Sequence, residues 1–181
     1  MSTASTQPTV ARGWWPWLVV SAAVVVADQL SKTAVLSSMH PGMERRLTSF
    51  FSIILTFNAG AAFSFLGNAA GWQRYMFSAF ALAAAVLIVW LLRRGGSRMY
   101  CWGLSLILGG ALGNLWDRAT IGKVVDFLFF HDFLPMRSAA IAWLDPFPAF
   151  NVADSAITVG AGLLIVESLW QRRHPSQVRT D

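Results

Sequence analysis

The sequence predicts an all-α membrane protein of four transmembrane helices, with a small extracytoplasmic sheet added by one of its connections. Three observations carry this. Apolar residues fall in four blocks, each near the roughly 20 residues needed to cross a bilayer core. Hydrophobic residues make up 55% of the 181 positions and charged residues only 13%, against about 45–50% and about 25% in soluble domains. Finally, Trp14, Trp15, Trp17, Trp72, Trp90, Trp102, Trp116 and Trp170 lie near the block ends, where an interfacial belt would place them.

The first block runs from about Trp14 to Leu36. Arg12 precedes it as in a cleavable leader, but the run exceeds the usual h-region and three more blocks follow, so it is expected to be a retained span. The first connection, about 37–71, holds a β-branched and aromatic run from Leu47 to Phe57, which predicts one or two short strands. Asn58-Ala59-Gly60 ends that run with turn chemistry. The second and third blocks run from about Trp72 to Leu92 and from about Met99 to Ala119. The second connection, about 120–151, is rich in aromatics and prolines, and the fourth block runs from about Val152 to Trp170. One domain over 14–170 is therefore expected, between tails at 1–13 and 171–181.

Lys and Arg near span ends set the orientation. Arg12, then Arg93, Arg94 and Arg98, then Arg172, Arg173 and Arg179 share one side. That side is expected to be cytoplasmic, with both termini there and the two long connections outside. The net charge of +5 follows from these clusters. They form no basic stripe with interleaved aromatics, so a nucleic-acid partner is not expected.

The single Cys101 excludes an intrachain disulfide and a multi-cysteine metal site, and fits a packing position. His40, His131 and His174 form no HExxH and no paired set, so no metal and no cofactor are expected. A GxSxG elbow is absent, and no Ser–His pairing within the spans is evident.

Ionisable groups inside spans are costly and each needs a reason. Asp28 and Lys32, four apart, share a helix face and can pair, as a structural bridge or as a substrate contact. Asn114 and Arg118 repeat that spacing beside Asp117, and Gly109 and Gly113 permit close helix packing. Arg118 alone could snorkel. Asn151 and Asp154 open the fourth span, where capping would account for either one. Glu167, near the other end of that span, is assigned no function, since snorkelling or pairing with an arginine would suffice. All these groups except Glu167 gather at one depth, with Asp126 just beyond the third span. Two carboxylates sharing one proton can hydrolyse a peptide without a cofactor, and Asp126 and Asp154 are the candidates. A small ion- or proton-coupled membrane transporter is the alternative, but it would spread polar residues through the bilayer.

Five segments, in order, resemble the lipoprotein signal peptidases (signal peptidase II) of bacterial inner membranes. They are Asp28-Gln29-Leu30-Ser31-Lys32, Asn58-Ala59-Gly60-Ala61-Ala62-Phe63, Gly109 to Arg118, Val124-Val125-Asp126-Phe127 and Phe150-Asn151-Val152-Ala153-Asp154. The resemblance covers roughly residues 14–170. It implies four spans, a periplasmic β-cradle and a short extracytoplasmic helix. It implies action near the outer membrane face, removing signal peptides from diacylglyceryl-modified prolipoproteins just before the lipidated cysteine; a monomer is expected. Asp126 and Asp154 become the catalytic dyad, and Asn58, Asn114, Arg118 and Asn151 become polar residues around substrate and dyad. Asp28 and Lys32 become supporting positions. It also implies metal independence, contact with membrane lipid, and inhibition by globomycin-type cyclic peptides.

Overall fold

The computed structural model describes residues 13–59, 72–132 and 145–173. Their elements are α1 (Trp15–Ser38), β1 (Glu44–Arg46), β2 (Phe51–Asn58), α2 (Trp72–Arg94), α3 (Arg98–Thr120), β3 (Val124–Phe130) and α4 (Val152–Arg173). The four helices coincide with the four apolar blocks to within three residues at each end. Segment 60–63 of the second motif lies outside the described residues, as do Arg12, His174 and Arg179. The described parts of the two connections contain no short helix, and the remainder of each lies outside the described residues.

The helix boundaries follow from local chemistry. Pro16 sits in the first turn of α1, where its missing N–H costs nothing. Between α2 and α3 the chain turns through Gly95 at φ +78°, a left-handed conformation that other residues adopt at a cost. Ser97 then caps α3, its hydroxyl accepting from the Tyr100 N–H at 3.1 Å.

Helix α3 is the centre of the bundle and packs against α1, α2 and α4. Its small residues allow this. A Cβ added at Gly109 would lie 2.7 Å from the Ser21 carbonyl oxygen of α1, and one at Gly110 would overlap the Ala153 backbone of α4. Ala85, Ile88 and Leu92 of α2 interlock with Cys101, Leu104 and Leu108 of α3, so Cys101 is a packing residue.

Among the described residues, α1, α2 and α4 are long and apolar enough to cross a membrane. They expose Val19, Leu30, Phe80, Val86, Val159 and Ile165, as a lipid-facing surface requires. Helix α3 is equally long but carries Gly109, Gly110, Gly113, Asn114, Asp117 and Arg118. It packs against all three of the other helices.

The strands form one antiparallel sheet in the order β1-β2-β3. Thr56 pairs with Asp126 and Asn58 with Val124. Asp126 therefore stands in a strand, whereas the sequence suggested a loop. Val124 to Phe130 is a run of β-formers, and its partner edge is supplied by β2. Leu55, Val125 and Phe127 pack on Val35 and Met39 at the end of α1, which seats the sheet on the bundle. Phe150 exchanges backbone hydrogen bonds with Leu128 at 2.8 and 3.0 Å, tying the start of α4 to β3.

Candidate active site

The site forms where α1, α3, β3 and the first turn of α4 meet. Asp126 is 2% exposed and points from β3 toward Asn151. The Asn151 Nδ2 donates to Asp126 Oδ1 at 2.7 Å, to the Val125 carbonyl at 3.2 Å and to Asn114 Oδ1 at 3.2 Å. On its other side Asn151 forms a reciprocal cap with Asp154. The Asp154 N–H donates to Asn151 Oδ1 at 2.9 Å, and the Asn151 N–H to Asp154 Oδ2 at 3.3 Å. One asparagine thus caps a helix and joins both acids, so the capping and site readings hold together.

Asn114 adds a second tie. Its Nδ2 donates to Asp154 Oδ1 at 2.8 Å, while its Oδ1 accepts from Lys32 Nζ at 3.1 Å. Lys32, 2% exposed, also contacts Asp28 Oδ2 at 2.8 Å and Asp117 Oδ2 at 2.7 Å. The remaining bonds of these two carboxylates explain their placement. Asp28 Oδ1 accepts the Ala153 N–H at 2.9 Å, and Asp117 Oδ2 accepts the Val125 N–H at 3.1 Å. Ala153 immediately precedes Asp154, and Val125 immediately precedes Asp126. Each candidate acid is therefore held, one residue upstream, by a separate buried carboxylate, and Lys32 binds both of those carboxylates.

Gln29 completes this layer, donating to Asp117 Oδ1 at 2.9 Å and to the Gly113 carbonyl at 3.2 Å. Gly113 is required here, because an added Cβ would lie 2.7 Å from Asp28 Oδ2. Arg118 donates to the Asn114 carbonyl at 3.3 Å and lies 5.4 Å from the Phe77 ring centroid of α2. It is within electrostatic reach of Asp154, Asp126 and Asp117. Asn58, the last residue of β2, hydrogen-bonds Asp126.

All eight sequence-derived candidates, Asp28, Lys32, Asn58, Asn114, Arg118, Asp126, Asn151 and Asp154, thus join one network. Asp117 and Gln29 belong to it as well. Asp117 drew notice only as a neighbour of Arg118, and Gln29 only as part of a motif. Their role depends on the crossing of α1 and α3, which no local spacing reveals.

Burial pushes the Asp126 carboxyl up from its ordinary 3.8 to about 7, and the nearby Asp154 charge adds to the rise. Hydrogen bonds from Asn58 and Asn151 and the Lys32 charge pull the other way without cancelling it. Asp126 can therefore hold a proton at neutral pH. One acid can then activate water while the other binds and protonates a carbonyl oxygen. Among the described residues no group of three His, Cys, Asp or Glu side chains is placed to hold a metal.

Two further arrangements lie outside this network. Away from the helices, Ser52 pairs with His131 at 2.8 Å, and His131 Nδ1 lies 3.1 Å from Asp132 Oδ2. Ser52 is nevertheless fully buried in the sheet, and its hydroxyl donates to Glu44 Oε1 at 2.6 Å. Closed to a substrate carbonyl, Glu44, Ser52 and His131 link β1 and β2 to the end of β3. Glu167 is not placed to snorkel, and no arginine among the described residues pairs with it. It is buried and accepts from Gln171 Nε2 at 2.6 Å.

The known proteins most informative for this chain agree with one another. A family model described as signal peptidase (SPase) II matches residues 20–170. A lipoprotein signal peptidase of Paraburkholderia phytofirmans is 52% identical over 85% of this chain and 84% of its own. One from Burkholderia ambifaria is 51% identical over 85% and 87%. A bacterial membrane enzyme solved by the in meso method superposes with a TM-score of 0.75 at 26% identity, over 92% of this chain and 95% of that one. A second such structure gives 0.71 at 27% identity, over 86% and 93%. With a matched span that holds most of each helix and every residue of the network, the chain belongs to the signal peptidase II family.

Proposed function

We propose that this membrane-embedded protease removes signal peptides from prolipoproteins by an aspartyl mechanism, with Asp126 and Asp154 as the catalytic pair. The observation that carries the reading is the bridge between them: Asn151 donates to Asp126 at 2.7 Å and exchanges hydrogen bonds with Asp154. The pair holds one proton, and burial together with the neighbouring Asp154 charge lets Asp126 carry it at neutral pH. Asp154 takes a proton from water as the water oxygen bonds to the scissile carbonyl carbon. Asp126 gives its proton to the carbonyl oxygen. When the C–N bond breaks, Asp154 passes its proton to the leaving amine, and Asp126 recovers its own as the carbonyl reforms. Asn114 and Asn151 hold Asp154 in place, Asn58 and Asn151 hold Asp126, and Arg118 supplies positive charge beside the developing oxyanion.

The cut falls just before a diacylglyceryl-modified cysteine. Such a substrate keeps its acyl chains in lipid, so the site must lie near a membrane face and open sideways. Helix α3 serves as the fourth span, packed against the three more apolar helices. The basic ends of α2 and α4, Arg93 with Arg94 and Arg172 with Arg173, support a cytoplasmic location for that end of the bundle and for both termini. The dyad, at the opposite end, then lies near the outer face. The single domain spans 14–170, the enzyme acts as a monomer, and cyclic peptides of the globomycin type compete for the same site.

The test is cleavage of a diacylglyceryl-modified precursor peptide by the purified chain. The reading requires cleavage before the modified cysteine and none when that cysteine is unmodified. Equal cleavage of both peptides would contradict it.

A further inference from the structure

At the end of the bundle away from the dyad, a cavity of about 390 Å³ lies between α2, the α2–α3 turn, α3 and α4. Leu91, Arg94, Tyr100, Leu164, Glu167 and Ser168 are among its lining residues. Glu167 is 5% exposed. Gln171 donates to its Oε1 at 2.6 Å, and no hydrogen bond or ion pair from a described residue reaches its other oxygen. Glu167 is itself a lining residue, so its carboxylate borders the cavity. A carboxylate buried to this degree is costly unless a cation or donors complete it. The nearby cation Arg94 is engaged elsewhere, its guanidinium 3.7 Å from the Trp90 ring centroid.

Helices α2 and α4 flank both the dyad and the cavity. At the dyad end, Arg118 lies over Phe77 of α2 and feels the charge of Asp154 of α4. At the far end, α2 and α4 both line the cavity. Asp154, Ala161 and Ser168 follow one another at seven-residue spacing along α4, which keeps them on one stripe of the helix. Ser168 opens on the cavity. From Asp154 to Glu167 the helix advances thirteen residues, about 20 Å at ~1.5 Å per residue.

That length has a counterpart in the substrate class. A signal peptide carries an apolar segment of roughly 7–15 residues preceded by a positively charged one. With the cleavage site at the dyad and the apolar segment helical, the positive segment falls about 20 Å away. We propose that the Glu167 cavity is a binding subsite for the cationic N-terminal segment of the precursor, taking one lysine ammonium or arginine guanidinium against the Glu167 carboxylate. This rests on the signal-peptidase reading above. It gives the enzyme a second point of recognition, which reads charge at the cytoplasmic end while the dyad reads the lipidated cysteine at the other.

The test uses the purified full chain and two lipidated precursors that differ only in having Lys or Gln in the N-terminal segment. The wild-type enzyme should show a KM about tenfold lower for the Lys precursor, with similar kcat for both. Glu167→Gln, which retains the bond partner of Gln171, should bring the two KM values to within about twofold by raising that for the Lys precursor alone. A purely structural role would move both precursors together, and that result would overturn the proposal. Equal KM values in the wild-type enzyme would overturn it without any variant and leave the peptidase reading standing. Cleavage of neither precursor would overturn both.

Discussion

Lys32 Nζ lies 2.7 Å from Asp117 Oδ2, inside the bundle and across the α1–α3 contact. Through this pair and the 2.8 Å contact to Asp28, one ammonium fixes the carboxylates that accept the Val125 and Ala153 N–H groups. The strand bearing Asp126 and the helix bearing Asp154 are registered against a common centre.

Asp117→Ala should therefore harm activity without touching either acid. It removes the acceptor of the Val125 N–H and leaves Lys32 with one carboxylate instead of two. Breaking such a buried pair costs about 3–5 kcal/mol. Asp117→Asn retains an acceptor for Val125, and should lose less stability yet still lower kcat by roughly 10- to 100-fold through misplacement of Asp126. Thermal unfolding and kcat measured together on both variants check this. Normal kcat in Asp117→Asn would remove Asp117 from the positioning set.

Gly113→Ala and Gly162→Ala form a contrasting pair. A Cβ at Gly113 meets Asp28 Oδ2 at 2.7 Å, while one at Gly162 meets nothing within 4 Å. The first should cost about 1–3 kcal/mol by overpacking and reduce cleavage by displacing Asp28. The second should leave cleavage intact and gain up to about 1 kcal/mol from helix propensity. Melting curves and cleavage rates for both variants decide the point.

Asp126 gives stability a pH dependence of known sign. Its carboxyl holds a proton to about pH 7 when folded, against an ordinary 3.8. Between those values the folded state binds more protons than the unfolded one, so stability falls as pH rises through that window. Asp126→Asn should flatten the slope and raise stability at pH 8, by on the order of 2 kcal/mol. The wild-type rate should be bell-shaped in pH, its alkaline limb falling near pH 7 as the pair loses its shared proton. Unfolding at pH 5 and pH 8, with rates across the same range, tests both statements.

The helices were legible because apolar block length follows bilayer thickness, and Asp28 with Lys32 because four-residue spacing puts them on one face. The capping pair Asn151 and Asp154 was legible for a similar local reason. Strand β3 was not, since its β-forming run sits in an aromatic, proline-rich connection and depends on β2 for its hydrogen bonds. Asp117 meets Lys32 only through helix crossing, and Ser52 meets His131 only through sheet register. Glu167 looked dispensable because its burial is set by α2 and α3, not by its neighbours in the chain.

The most direct measurement is steady-state cleavage of a diacylglyceryl-modified precursor by purified Asp126→Asn and Asp154→Asn. Asn retains the shape of Asp but can neither take water's proton as a carboxylate does nor return one. Each variant should remain folded and bind a globomycin-type inhibitor, yet lose turnover by at least about 10³-fold. The double variant should be hardly worse than either single one, since the two acids act as a unit. Substantial turnover by either single variant would contradict the two-carboxylate mechanism.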